Sequence, residues 1–175
     1  MEYNESIMSL GFGGNWGSFS IGKEFMEWGY GENGLIVLSQ KAPSFPLIRI
    51  DLNSVEWLSF NYFHSWLASD VIDTSDIYFT ETNSPRFTFR EKYLASHTLN
   101  LKFTKGLVLY LGESIVYSDK LEILYLIPIT FFKVADHYLS RLDNGAGGNS
   151  QFFIALSSRV KLRIHTCMEH YLLMK

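Results

Sequence analysis

Asp70, Asp73 and Asp76 recur at three-residue intervals, a spacing that could pair two carboxylates and raise the pKa of one for general acid–base work. Joined by a histidine, they would make a phosphodiesterase or hydrolase. The same aspartates lie in a Ser/Thr/Asp-rich connector, residues 69–76, where short polar side chains bond the backbone and build turns. Turn chemistry accounts for them without catalysis. The stretch Gly17-Ser18-Phe19-Ser20-Ile21-Gly22-Lys23 has the glycine and lysine spacing of a phosphate-cradling loop. Such a loop needs a Ser or Thr hydroxyl next, to hold magnesium; Glu24 stands there and would repel phosphate. His165, Cys167, Glu169 and His170 are the densest set of metal-ligand types, but alternation places His165 and Cys167 beside Lys161 and Arg163, whose charges oppose a divalent cation. No metal, cofactor or catalytic residue is assigned, and the reading leans away from an enzyme.

The constellation with most content is cationic and borne on strands. Arg86, Thr88 and Arg90 alternate with Phe87 and Phe89; Lys102 stands between Leu101 and Phe103; Arg159, Lys161 and Arg163 alternate with Val160, Leu162 and Ile164. In a strand, alternate side chains share a face. If the three strands lie in one sheet with the rings beneath as core, Arg86, Arg90, Lys102, Arg159, Lys161 and Arg163 form one outward partner-binding surface.

The elements that must position these residues can be read from the same periodicities. Residues 1–34 are glycine-rich and read as short strands separated by turns, with Asn33-Gly34 the best hairpin turn. Strands follow at 35–38 and 47–52. Residues 54–68 read as a helix, since Val55, Leu58, Tyr62 and Trp66 fall on one helical face and Asn53 with Glu56 has capping-box spacing. A hairpin is expected from 77–82 and 86–90, then strands at 99–104, 107–111, 114–117 and 121–127. Residues 131–142 read as an amphipathic helix with Phe131, Val134, Ala135, Tyr138 and Leu142 as its inward stripe and Thr130 as N-cap. The chain then runs through strands at 152–156 and 160–165. The fold class is α+β: one domain over residues 1–175, with a mixed, mostly antiparallel sheet, about two amphipathic helices on one face and a glycine-rich N-terminal region.

Bulk properties limit the function classes. The 175 residues are 47% hydrophobic and 19% charged, with a net charge of −3, so disorder is excluded for the bulk of the chain. Residues 1–80 carry ten acids and three bases, and 81–175 carry eight acids and twelve bases, giving −7 and +4. This polarity could steer a partner. One cysteine, Cys167, cannot form an internal disulfide and fits a reducing compartment. The acidic start, Met1 to Glu5, lacks the features of a secretory signal, and the longest apolar-rich run, 121–132, is interrupted by Glu122 and Pro128 and falls short of the roughly 20 residues of a membrane-crossing helix. The expectation is therefore a soluble, cytoplasmic chain without a membrane partner. The aromatic surplus and charge deficit are the compositional direction of protein interfaces. They favour a non-catalytic protein-binding module, such as a small inhibitor, immunity-type protein or adaptor, or a homo-oligomer. Nucleic-acid binding through the cationic strands is the alternative, with hydrolysis third.

Overall fold

Period-two alternation governs most of the chain, and strands dominate accordingly. The computed structural model describes residues 6–30, 35–39, 41–104, 106–142 and 148–158. Seven strands form one sheet: β1 (Met8–Gly14), β2 (Gly17–Glu24), β3 (Phe45–Val55), β4 (Leu58–Leu67), β7 (Lys92–Thr104), β8 (Leu107–Ser118) and β9 (Asn149–Ser158), adjacent in that order. Every pairing is antiparallel. A separate two-stranded sheet, β5 (Ile72–Phe79) and β6 (Pro85–Phe89), is inserted between β4 and β7, and two short helices, α1 (Ile123–Leu126) and α2 (Phe132–Leu142), between β8 and β9. The molecule is sheet-dominant, with less helix than the α+β expectation.

The connections differ sharply between the two ends of the sheet. At one end β1–β2, β3–β4 and β7–β8 are each joined by two residues, whereas at the other β2–β3, β4–β7 and β8–β9 are joined by 20, 24 and 30 residues. The β1–β2 turn needs glycine at its exit: Gly17 has φ +152° and a Cβ there would strike the Asp51 carbonyl.

Three local readings change. Residues 54–68 form the end of β3 and all of β4 rather than a helix. Leu58, Phe60, Tyr62, His64 and Trp66 satisfy a two-residue period as well as a helical one, and pairing on both sides with β3 and β7 suits aromatic side chains better than a helix does. Residues 121–127, read as a strand, contain the single helical turn α1, because Pro128 has no N–H to carry a ladder onward. Residues 35–38 make only an isolated bridge, Trp28 with Leu38. The strand expected at 160–165 and the turn at Asn33-Gly34 lie outside the described residues.

Two cores sit on opposite faces of the sheet. On one, α1 and α2 lay Tyr125, Phe132 and Ala135 against Tyr62, Tyr93, Ala95, Ile115 and Tyr117. On the other, the long β2–β3 connection lays Met26 and Trp28 against Phe45, Leu47, Phe63 and Leu94. Helix α2 is also rotated from its expected orientation. Phe132, Ala135 and Leu139 face the core, while Phe131, Val134 and Tyr138 are exposed. Its first-turn amides, Phe132 N–H and Lys133 N–H, donate to the two oxygens of Glu113 on β8 at 2.9 and 2.6 Å. A carboxylate from the sheet thus takes the capping role expected of Thr130, at the helix end where negative charge is stabilised.

Candidate functional site

In the described part of the chain the predicted cationic residues are divided between two sheets. Arg86 and Arg90 belong to the β5–β6 hairpin and its exit, with Arg86 opposite Tyr78 and Arg90 3.6 Å from Asp119. Lys102 lies on β7 in the other sheet. Arg159, Lys161 and Arg163 lie outside the described residues. The rings expected beneath the cations are uncovered: Phe87, Phe89 and Phe103 are all exposed.

The other candidates are absorbed locally. Asp73 accepts from the amide and hydroxyl of Ser75 at 2.9 and 2.6 Å; those bonds hold its carboxyl below the usual carboxylate range. Asp76 accepts from the Thr88 hydroxyl at 3.0 Å. Both are turn and hairpin fasteners. Gly22 and Lys23 are in a strand paired on both sides, where no helix N-terminus can cradle phosphate. His165, Cys167, Glu169 and His170 lie outside the described residues. Among the described residues no three His, Cys, Asp or Glu side chains gather into a metal site.

What the registers do assemble is a two-faced sheet. One face carries Met8, Leu10 and Phe12 from β1, Phe19 and Ile21 from β2, Ile48, Ile50 and Leu52 from β3, and Leu58 and Phe60 from β4. It continues through Leu99 and Leu101 of β7, Leu109 and Leu111 of β8, and Phe152, Ile154 and Leu156 of β9. Many of these are bare: Leu10 is 73%, Phe12 71%, Phe152 62% and Leu156 66% exposed. The opposite face carries Ser9, Gly11 and Gly13, then Ser18, Ser20, Arg49, Asp51, Ser59, Asn61, Thr98, Asn100, Lys102 and Ser114.

The apolar band is not level with the hydrogen-bonded rows. Leu10 is in register, strand by strand, with Ile21, Ile48, His64, Ala95 and Ile115. On β8, however, Ile115 is buried with α1 and α2, and the part of the band that the helices leave uncovered, Leu107 to Leu111, is centred on Leu109, six residues from Ile115. Six residues are about 20 Å of strand, and the five strand spacings crossed are about 24 Å. The band therefore runs at about 40° to the rows, within the roughly 35–45° by which strands tilt in closed barrels.

The polar face has its own structure. Asp51 is the hub: Asn61 donates to it at 2.6 Å, Ser18 at 3.4 Å, and Arg49 Nε lies 2.7 Å away. Asn100 extends the seam, donating to Asn61 at 2.8 Å and Ser59 at 3.0 Å, and accepting from the Tyr30 hydroxyl at 3.0 Å. Tyr30 comes from the β2–β3 connection and stacks on Tyr110 of β8 with centroids 3.4 Å apart. Burial, reinforced by Tyr110 and opposed by the Asn100 bond, pushes the Tyr30 hydroxyl up from 10.0 to about 12. Glu27, Trp28, Gly29 and Tyr30 from the connection, with Arg49, Asn61 and Thr98 from the sheet, line an open polar pocket of about 190 Å³. The connection is thus folded back across the polar face rather than outward. Sequence reasoning missed both faces, although the alternation of Leu10, Phe12, Phe19 and Ile21 with serine and glycine was there to be read.

The chain matches no family model, no curated protein and no solved structure.

Proposed function

We propose that the seven-stranded sheet is part of the wall of a membrane-spanning β-barrel, with its apolar face toward lipid and its polar face toward the lumen. The observation that carries this reading is the apolar band across all seven strands, backed on β1, β2, β4 and β7 by serine, glycine, asparagine and threonine and on β3 by Arg49 and Asp51. Apolar-out, polar-in alternation is what a barrel wall in a bilayer requires. Three further features support it. The band's slope of about 40° is the tilt of barrel strands. Two-residue turns at one end and long connections at the other repeat the asymmetry of barrels inserted from one side. Trp16 and Trp57 stand exposed on two of the short turns, where an interfacial aromatic girdle would lie. Among the described residues no helix is long and apolar enough to cross a membrane; crossing by strands rests on a different pattern.

A protein-binding module, whether a cytoplasmic inhibitor, immunity-type protein, adaptor or homo-oligomer, would use the same apolar face with protein as its cover. It offers no reason for the slope of the band or for the inequality of the connections. Nucleic-acid binding would need the cations gathered, and hydrolysis would need the carboxylates freed from their turns.

The test is refolding of the urea-denatured chain in the presence and absence of phosphatidylcholine vesicles. The expected result is a β-rich product that floats with the vesicles after an alkaline carbonate wash. A folded monomer or dimer in detergent-free buffer that stays in the aqueous fraction overturns the membrane reading, and the dimer would favour the protein-covered face.

A further inference from the structure

We infer that α1, α2 and the segment joining them form a shelf lying in the headgroup layer of the bilayer, which sets how deeply the sheet is seated. This rests on the membrane reading above and deepens it. Helix α2 has two apolar stripes on eleven residues, and the core uses only one. Phe132, Ala135 and Leu139 close the sheet-side core, leaving Phe131, Val134 and Tyr138 exposed at 68%, 69% and 57%. The approach to the helix adds Ile123 and Ile129, exposed at 74% and 79%. Lys133, His137 and Arg141 are exposed between them. A helix with bulky apolar residues outward, flanked by a lysine and an arginine, lies in the plane of a membrane interface with that stripe among the upper acyl chains.

The placement of the shelf points to the same occupant. Glu113 holds the start of α2 through the Phe132 and Lys133 amides, and Glu113 is on the same face of β8 as Leu111, two residues further along. The shelf therefore begins where the apolar band of β8 ends, on the side of the long connections. It continues the apolar surface instead of terminating it. A phenylalanine, two isoleucines, a valine and a tyrosine at that edge match the composition of a lipid-facing border and leave charged groups toward water.

Spin labels separate this inference from the reading it rests on. Cys167 is the sole cysteine; with it replaced by serine, Val134→Cys, Leu109→Cys and Glu81→Cys are labelled singly in vesicle-inserted protein. Collision rates with oxygen, which concentrates in lipid, and with a water-soluble nickel chelate are then compared. The expected order of the oxygen-to-nickel ratio is Leu109 highest, Val134 intermediate and severalfold above Glu81, and Glu81 lowest. Phe131→Asp combined with Val134→Asp should shift the Leu109 label to a different depth. If the Leu109 label is lipid-buried while the Val134 label matches Glu81, the shelf is refuted and the barrel wall stands. If Leu109 is also aqueous, both fall.

Discussion

Ile154 on β9 and Phe89 on β6 are almost equally bare, at 62% and 57% exposure, yet the proposed arrangement gives them different solvents. Were both in water, replacing either by arginine would change stability by no more than about 0.5 kcal/mol, the usual range for surface substitutions. An arginine on the lipid face of a barrel near the bilayer midplane costs about 2–4 kcal/mol. Ile154→Arg should therefore shift the unfolding equilibrium by about 30-fold to nearly a thousand-fold, at about 1.4 kcal/mol per tenfold. Phe89→Arg, outside the sheet and its band, should leave it nearly unmoved. A third variant tests the alternation itself: Ser157→Arg lies on the same strand but on the polar face and should cost little. The assay is urea unfolding of vesicle-inserted protein followed by tryptophan emission, with the variants compared at one lipid composition. Equal destabilisation by Ile154→Arg and Ser157→Arg, or none by Ile154→Arg, would refute the two-solvent reasoning.

Other residues give sharper local expectations. Glu113→Gln removes the charge from two hydrogen bonds at the α2 N-terminus and should cost about 1–2 kcal/mol, with faster hydrogen exchange at the Phe132 and Lys133 amides. Asn61→Ala strips partners from both Asp51 and Asn100 and should lower stability by about 1–3 kcal/mol in a chemical melt, whereas Ser20→Ala on β2 should not. Because the Tyr30 hydroxyl titrates higher in the folded chain than in the unfolded, its contribution is whole below pH 10 and is lost as pH rises toward about 12. Proteolytic protection of the β2–β3 connection should fall across that interval, and Tyr30→Phe should reduce that fall while leaving the part due to the other buried tyrosines, Tyr93 among them.

Much of the strand pattern was legible in the sequence, because side chains alternate whatever covers them. The Phe87 and Phe89 alternation correctly marks one face of β6. What alternation cannot say is which face is covered, and there the expectation of rings beneath cations failed. On the polar face of the seven-stranded sheet, Phe63 and Leu94 are buried only because Met26 and Trp28 arrive from the β2–β3 connection; nothing in the strand sequences announces that visit. The misplaced helix at 54–68 has a similar origin. Val55, Leu58, Tyr62 and Trp66 fit a helical face, but Leu58, Tyr62 and Trp66 also share a strand parity, and only the neighbours on both sides decide between the two. For α2 the ambiguity is a single residue of rotation, since Phe131 and Phe132 both begin an apolar stripe and the side that packs is chosen by Glu113 reaching across from β8.

The strand count imposes a condition of its own. Six antiparallel pairings separate β1 from β9, so these two edge strands run in the same direction. Joined directly, they would pair parallel within a meander that is otherwise antiparallel; antiparallel closure takes an odd number of additional strands, from outside the described residues or from another chain. An edge left open to lipid would expose unpaired N–H and C=O groups, each costing several kcal/mol where no water can serve them. A lipid-facing β1 therefore has to be paired on both sides. In vesicle-inserted protein, hydrogen exchange at the β1 amides that do not bond β2 should be as slow as at the central strands β4 and β7. Exchange there at the rate of an exposed loop would mean the edge is wet, and a wet edge is incompatible with a wall in the bilayer.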